Sequence, residues 1–180
     1  YGYKIVIEPF EIVELPNEFF DYITLDQVIE HIVDPVKTMI KIATLLKSNG
    51  RVVISSPNTN GWGAKFFGRR WINWHVPYHI QYFSPKSMKI VADEAGLIVE
   101  KVMTITSPEW LYYQWLHLLT YPSPGIPSVF WSNKSDLTFR LKLKLRILYY
   151  LHLLKIDHII TCFFDTLAVG DNYVYILRKK

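Results

Sequence analysis

A single cysteine, Cys162, stands in a chain of 180 residues. One thiol excludes an internal disulfide and any cysteine-built zinc cage, and it fits a reducing compartment, so a cytoplasmic location is expected. No charged segment followed by an apolar one opens the sequence, so a signal peptide is not expected. No run of about twenty apolar residues free of charge occurs, so a spanning helix is not expected either. Glycine is sparse: the eight glycines stand at positions 2, 50, 61, 63, 68, 96, 125 and 170, and none follows an early strand. No internal repeat or low-complexity tract is present.

Hydrophobic residues make up 50% of the chain and aromatics 16%, a composition that excludes disorder and supplies a sizeable core for one domain over residues 1–180. The net charge of +4 is unevenly spread. Residues 1–50 carry eight acids and four bases, residues 51–133 seven bases and four acids, and residues 134–180 nine bases and four acids. Positive charge therefore accumulates toward the C-terminus, which favours an anionic partner or, more plainly, a solvated face.

Lys4–Ile7 ("KIVI") and Asp21–Val28 ("DYITLDQV") read as strands. Asp34 is a good N-cap and Pro35 suits a first helical position. Val36, Met39, Ile40, Ala43 and Leu46 then recur on one helical face, and Asn49–Gly50 is expected to stop the helix. "RVVIS" (51–55) is the next strand, and strand, helix, strand with short joins makes a βαβ unit with parallel neighbours. Ser84 and Pro85 repeat the cap-then-proline signal. Met88, Val91, Ala92 and Ala95 form a second face, Gly96 ends it, and "LIVEKVMTIT" (97–106) is another strand. "NYVYILRKK" closes the chain as a strand expected at the sheet edge beside its predecessor. Residues 107–168, dense in Trp, Tyr and Leu, read as a helical insertion covering one end of the sheet. The expected architecture is an α/β layered domain on a mainly parallel sheet: a core over 1–106, the insertion or lid over 107–168, and a closing strand over 169–180.

In such sheets ligands sit beyond the carboxyl ends of the strands. "VIEHIVDP" (28–35) places Glu30 and His31 at one such end, and "SPNTN" (56–60) follows the neighbouring one.

The stretch "FFDYITLDQVIEHIVDPVKTMIKIATLLKSNGRVVISSPN" closely resembles the second half of class I S-adenosylmethionine-dependent methyltransferases, with their strand, "EH", "DP" helix start and strand ending in "PN". "WINWHVPYHIQYFSPKSMKIVADEAGL" is similar to the family's downstream signature, and "GDNYVYILRKK" to its closing strand. The resemblance covers roughly residues 1–106 and implies a doubly wound, Rossmann-like sheet of seven strands that binds S-adenosylmethionine. It also implies that the chain begins near the approach to the family's third strand. The family's glycine-rich donor loop and its ribose-binding acid have no counterpart here. "GWGAKFFG" (61–68) does not replace the loop, because Phe66 stands where a third glycine is needed. Residues 1–180 alone are accordingly expected to bind the donor poorly.

Carried onto this sequence, the resemblance puts Glu8, Pro9 and Phe10 at adenine contacts, and Leu25, Asp26 and Gln27 where the backbone passes the donor. It puts His31 and His79 toward one acceptor cleft, with Glu30 orienting a neighbour. A histidine there can take an acceptor's hydroxyl proton near neutral pH. The plainer alternative is that His31 caps the following helix and His75 and His79 only pack their loop. "QVIEH" is also similar to the metal-binding "EVIEH" of small-RNA 2′-O-methyltransferases, but Gln27 removes one anionic ligand and no metal is expected. The expected acceptor is a small or medium molecule such as a quinone, lipid precursor or sugar, and nucleic acid is not expected. The rivals are a non-catalytic interaction module derived from a methyltransferase and a relative of the RNA enzymes. Peripheral membrane contact through 107–154 competes with a buried lid, and the lid is preferred because bases at every second position of 139–154 scatter charge around a helix.

Overall fold

A computed structural model describes residues 5–122 and 137–180. The chain divides into two compact units: one holds the described residues up to 56 with 83–102 and 174–180, and the other holds 57–82 with the described part of 103–173. Among the described residues, four strands form one sheet: β1 (Phe20–Asp26), β2 (Leu46–Pro57), β3 (Leu97–Ile105) and β4 (Asn172–Lys179), in the order β1-β2-β4-β3. The sheet is four-stranded where the resemblance implies seven.

β1 and β2 run parallel, with Leu25 opposite Ile54 and Asp26 opposite Ser55. The crossover between them is α1 (Pro35–Leu45), which starts as the sequence predicts: the Asp34 carboxylate accepts from the Lys37 amide at 2.9 Å, satisfying one of the open N–H groups of the first turn. Its buried side is Thr38, Met39, Ile42 and Leu45, turned from the expected face so that Ile40 is exposed. The helix ends at Leu45 and the chain enters β2 at once, so Asn49–Gly50 is not its stop. Gly50 lies within β2 beside an irregularity in the β1–β2 register, and a Cβ there would come within 2.9 Å of the Phe20 carbonyl oxygen. The glycine serves a close backbone approach instead. The expected strand at Lys4–Ile7 does not form over its described residues, 5–7, where Ile5 and Ile7 are exposed. A strand is held by its neighbours, and no ladder reaches these residues.

Helix α3 (Pro85–Glu94) follows the sequence closely, with a capping box between Ser84 and Ser87, buried Met88, Val91 and Ala92, and Gly96 at φ +72°. It packs against α1. β4 sits between β2 and β3, so the closing strand is internal and β3 takes the edge. Tyr175 and Leu177 of β4 are fully buried, and the Tyr175 hydroxyl donates to the Phe83 carbonyl at 2.9 Å. An internal strand needs this double cover, which β4's aromatic and branched residues provide.

In the second unit, α2 (Trp62–Phe67) precedes three longer helices, α4 (Pro108–Leu119), α5 (Phe139–Leu153) and α6 (Ile156–Thr166), which touch one another pairwise. The expected helical insertion is therefore present. Residues 123–136 of the expected 107–168 insertion lie outside the described residues. Trp62, Trp71, Ile72 and Leu111 are buried. Gln114 of α4 fixes the 70–72 turn: its amide oxygen accepts from the Ile72 N–H at 2.7 Å and its amide nitrogen donates to the Arg70 carbonyl at 2.8 Å. Among the described residues no single helix is long and apolar enough to cross a membrane.

Candidate functional site

The parallel pair β1–β2 ends in a polar cluster within the first unit. Leu25 is buried at the end of β1, and the exposed Asp26 carboxylate accepts a short hydrogen bond from the Ser55 hydroxyl. Gln27 follows with φ +52°, a left-handed conformation rare outside glycine. Both of its nitrogens answer to Ser55: the backbone N–H donates to the Ser55 carbonyl at 3.1 Å, and Nε2 donates to Oγ at 3.2 Å. A strained backbone held by its neighbours at a strand end is a common mark of a ligand site. The turn lets the chain leave the sheet plane into one 3₁₀ turn, Ile29–His31, just before α1.

That turn separates its two polar residues. Glu30 is fully buried while His31 is exposed. Burial pushes the Glu30 carboxyl up from its ordinary pKa, opposed by its own backbone hydrogen bond, by the charge of His31 and by a hydrogen bond with Ser56. Of the residues assigned to adenine, Glu8 and Pro9 are exposed and Phe10 is half-buried, with the Lys41 ammonium 5.0 Å from its ring centroid. Lys41 Nζ also donates to the Phe10 and Val13 carbonyls at 2.6 and 2.7 Å, anchoring this loop to α1.

His79 belongs to the second unit, so the first unit brings together Asp26, Gln27, Glu30 and His31 only. His79 has its own support: Nδ1 lies 2.7 Å from the Asn73 carbonyl, which requires the proton on Nδ1 and leaves the lone pair on Nε2. His75, at φ +34°, packs edge-on against the His79 ring at 5.1 Å. The Tyr82 hydroxyl donates to the Trp74 carbonyl at 2.7 Å and closes the loop.

The sequence reading missed the second unit's buried acid. Asp171 accepts from the Gly63 N–H at 2.7 Å and from the Trp71 indole N–H at 3.1 Å. Burial raises its pKa to about 6, against the lowering effect of those two bonds. Gly63 has no room for a Cβ, which would overlap the Asp171 carboxylate, and a Cβ at Gly61 would lie 2.7 Å from the Gly170 carbonyl oxygen. This is what "GWG" does: it admits the 170–171 backbone. The paired glycines of "GWG", which do not match the family's donor loop, were the available signal. The same unit holds a cavity of about 390 Å³ between α4, α5 and α6, lined by Tyr112, Trp115, Leu119, Ile147, Leu151 and Ile160 among others. His152 stacks on Tyr112 and hydrogen-bonds the Asp157 carboxylate at its margin.

A family model described as a methyltransferase domain matches residues 4–102. Among curated proteins, the ubiquinone biosynthesis O-methyltransferase of Aeromonas salmonicida (strain A449) is 30% identical over 92 residues, covering 48% of this chain and 38% of that protein. Among solved structures, a SAM-dependent methyltransferase from Thermotoga maritima matches with a TM-score of 0.54 at 14% identity, over 96% of this chain and 62% of that one. Haemonchus contortus phosphoethanolamine N-methyltransferase 2, in complex with S-adenosyl-L-methionine, matches with a TM-score of 0.52 at 17% identity, over 96% and 36%. At such identities the structures show a shared fold. The chain spans less than two thirds of the length of each of these proteins. Matched over more than half of its residues and sharing the family's fold, the chain belongs to the class I S-adenosylmethionine-dependent methyltransferase family.

Proposed function

We propose that the protein carrying this chain transfers a methyl group from S-adenosylmethionine to a small or medium acceptor with an apolar portion, of the quinone or lipid-precursor kind. The observation that carries the reading is the polar set at the carboxyl ends of β1 and β2: Asp26, Gln27, Glu30 and His31 beside Ser55, inside the region the family model matches. The name of the curated relative, a ubiquinone biosynthesis O-methyltransferase, supports the same choice.

The residues present suit part of the donor, the part reached without the glycine-rich loop. The donor carries hydroxyls, an amino group and a flat base; Asp26 and Gln27 offer acceptor oxygens at the strand end, and Glu8, Pro9 and Phe10 offer a carboxylate and flat apolar surfaces. Bound there, the donor supplies a methyl group already activated on a sulfonium. The protein's task is to hold the acceptor in line and remove its proton. His31 takes the hydroxyl proton, breaking the acceptor O–H bond and forming N–H on the imidazole. Glu30 stands next to His31 in the same 3₁₀ turn and orients it. The family resemblance assigns His79 to the acceptor as well, and its imidazole is held through Nδ1–H by the Asn73 carbonyl.

The test is transfer of a labelled methyl group to a short-chain hydroquinone by the full-length protein. His31→Ala is expected to lower turnover about a hundredfold, with donor affinity by calorimetry changed only about threefold or less. Unchanged turnover would reduce His31 to a turn residue and remove the mechanism.

A further inference from the structure

We infer that helices α5 and α6 form a docking surface for an anionic lipid bilayer, lying along the headgroup layer without crossing it. This goes beyond the methyl-transfer reading and does not depend on it.

Helix α6 is amphipathic, yet it is mounted inside out. Its most buried residues are polar: Asp157 is 8% exposed, Thr161 is 1% exposed, and the Asp165 carboxylate accepts from the Thr106 N–H at 3.0 Å, while Phe164 beside them stacks on Trp62. Its outward stripe is apolar, with Ile159 at 64%, Phe163 at 60% and Leu167 at 56% exposure. A helix that seats itself only on water and on its own unit does the reverse.

Helix α5 carries a second exposed apolar stripe, bordered by charge. Leu141, Leu145, Leu148 and His152 turn inward, while Leu143, Tyr150 and Leu154 form an exposed stripe, with Ile147 between that stripe and the cavity. Arg140 and Lys144 border that stripe on one side and Lys142 and Arg146 on the other, all exposed. Bases at every second position lie around the circumference of α5 as the sequence predicts, and four of them border a second apolar face opposite the one that turns inward. From residue 137 to residue 156 there are five bases, counting Lys155, and no acid. An apolar stripe bordered by lysine and arginine, with tyrosines at its edge, matches the layered chemistry of an anionic membrane surface: acyl chains beneath, phosphates above. A second copy of this chain would meet the stripe with the same positive charge, so it fits poorly. Spanning is disfavoured as well, since neither α5 nor α6 is long enough to cross a bilayer and the two are bent by 61° at their junction. A span would also bury the bases of α5 in hydrocarbon.

Flotation of the 180-residue chain with vesicles tests the inference. Phosphatidylcholine vesicles containing about one-third phosphatidylglycerol should recruit it at least about tenfold better than phosphatidylcholine alone, with recruitment falling as salt rises. Each of Arg140→Ala and Lys144→Ala should weaken recruitment by roughly fivefold. Ile159→Glu with Phe163→Glu should abolish it while leaving the circular dichroism spectrum unchanged, and Lys89→Glu on α3 should have no effect. Equal recruitment to both vesicle types overturns the inference, as does none at low salt. So does a sedimentation-equilibrium dimer that the Ile159→Glu, Phe163→Glu variant dissolves in a chain that ignores vesicles.

Discussion

Helices α1 and α6 each have eleven residues, and each has one apolar and one polar side. α1 turns Met39, Ile42 and Leu45 toward the core of the first unit, where none is more than 2% exposed. α6 turns Asp157 and Thr161 toward its own unit and leaves isoleucine and phenylalanine outside. The difference teaches that periodicity identifies a helix and its two faces, while the neighbour decides which face is covered. The first unit draws its order from apolar contact between α1, α3 and the sheet. The second draws much of its order from buried polar anchors: Asp171 on Gly63 and Trp71, Asp165 on Thr106, and Gln114 on the 70–72 turn.

The largest effect expected from this contrast is at Gly63. A methyl group there overlaps the Asp171 carboxylate, so Gly63→Ala must displace the acid and strand the buried indole N–H of Trp71. Overpacking costs about 1–3 kcal/mol, and an unsatisfied buried donor about as much again. Gly63→Ala should therefore lose about 4 kcal/mol in urea unfolding, or fail to accumulate as folded protein. A loss below about 1 kcal/mol would mean that the second unit does not depend on its buried acid.

That anchor marks where the sequence stopped being readable. The cap-and-proline pairs Asp34–Pro35 and Ser84–Pro85 were legible because a cap is a local hydrogen bond between residues three apart. The polar end of β1 was legible through the family resemblance, which located Asp26, Gln27, Glu30 and His31 together. Gly50 was misread because a helix stop and a close strand approach call for the same residue, and only the Phe20 carbonyl tells them apart. β4 was placed at the edge because strand order depends on long-range pairing that no local pattern encodes. Asp171 went unnoticed because its partners are 100 and 108 residues away.

A smaller effect is expected in the pH dependence of the same anchor. Burial raises the folded pKa of Asp171 to about 6 from its ordinary 3.8. Below the lower value the acid is neutral in both states and contributes no penalty. As pH rises from there to about 6, the unfolded chain releases its proton while the folded chain keeps it, so stability falls; above about 6 the loss is complete. At about 1.4 kcal/mol per pH unit, going from about pH 7 to about pH 4.5 should stabilise the wild type by about 2 kcal/mol relative to Asp171→Asn. Urea titrations of both proteins at the two pH values give that difference directly. A difference that stays constant, or moves the other way, would show that the folded acid is not held toward its neutral form.

The smallest effect belongs to the outward face of α6. Ile159 is 64% exposed and Ile42 of α1 is 1% exposed, so the two isoleucines are the contrast in its barest form. Ile42→Ser would open a cavity and bury a hydroxyl, a loss of several kcal/mol. Ile159→Ser removes almost no packing, and its lower helix propensity is the main cost, so stability in buffer should change by less than about 0.5 kcal/mol. Thermal unfolding monitored by circular dichroism checks it. A loss above about 2 kcal/mol would mean that Ile159 is covered in solution by another part of the protein or by a second copy, and that α6 is seated the ordinary way after all. A near-zero change leaves the helix with an apolar face that folding does not require, which is the condition for that face to serve a partner.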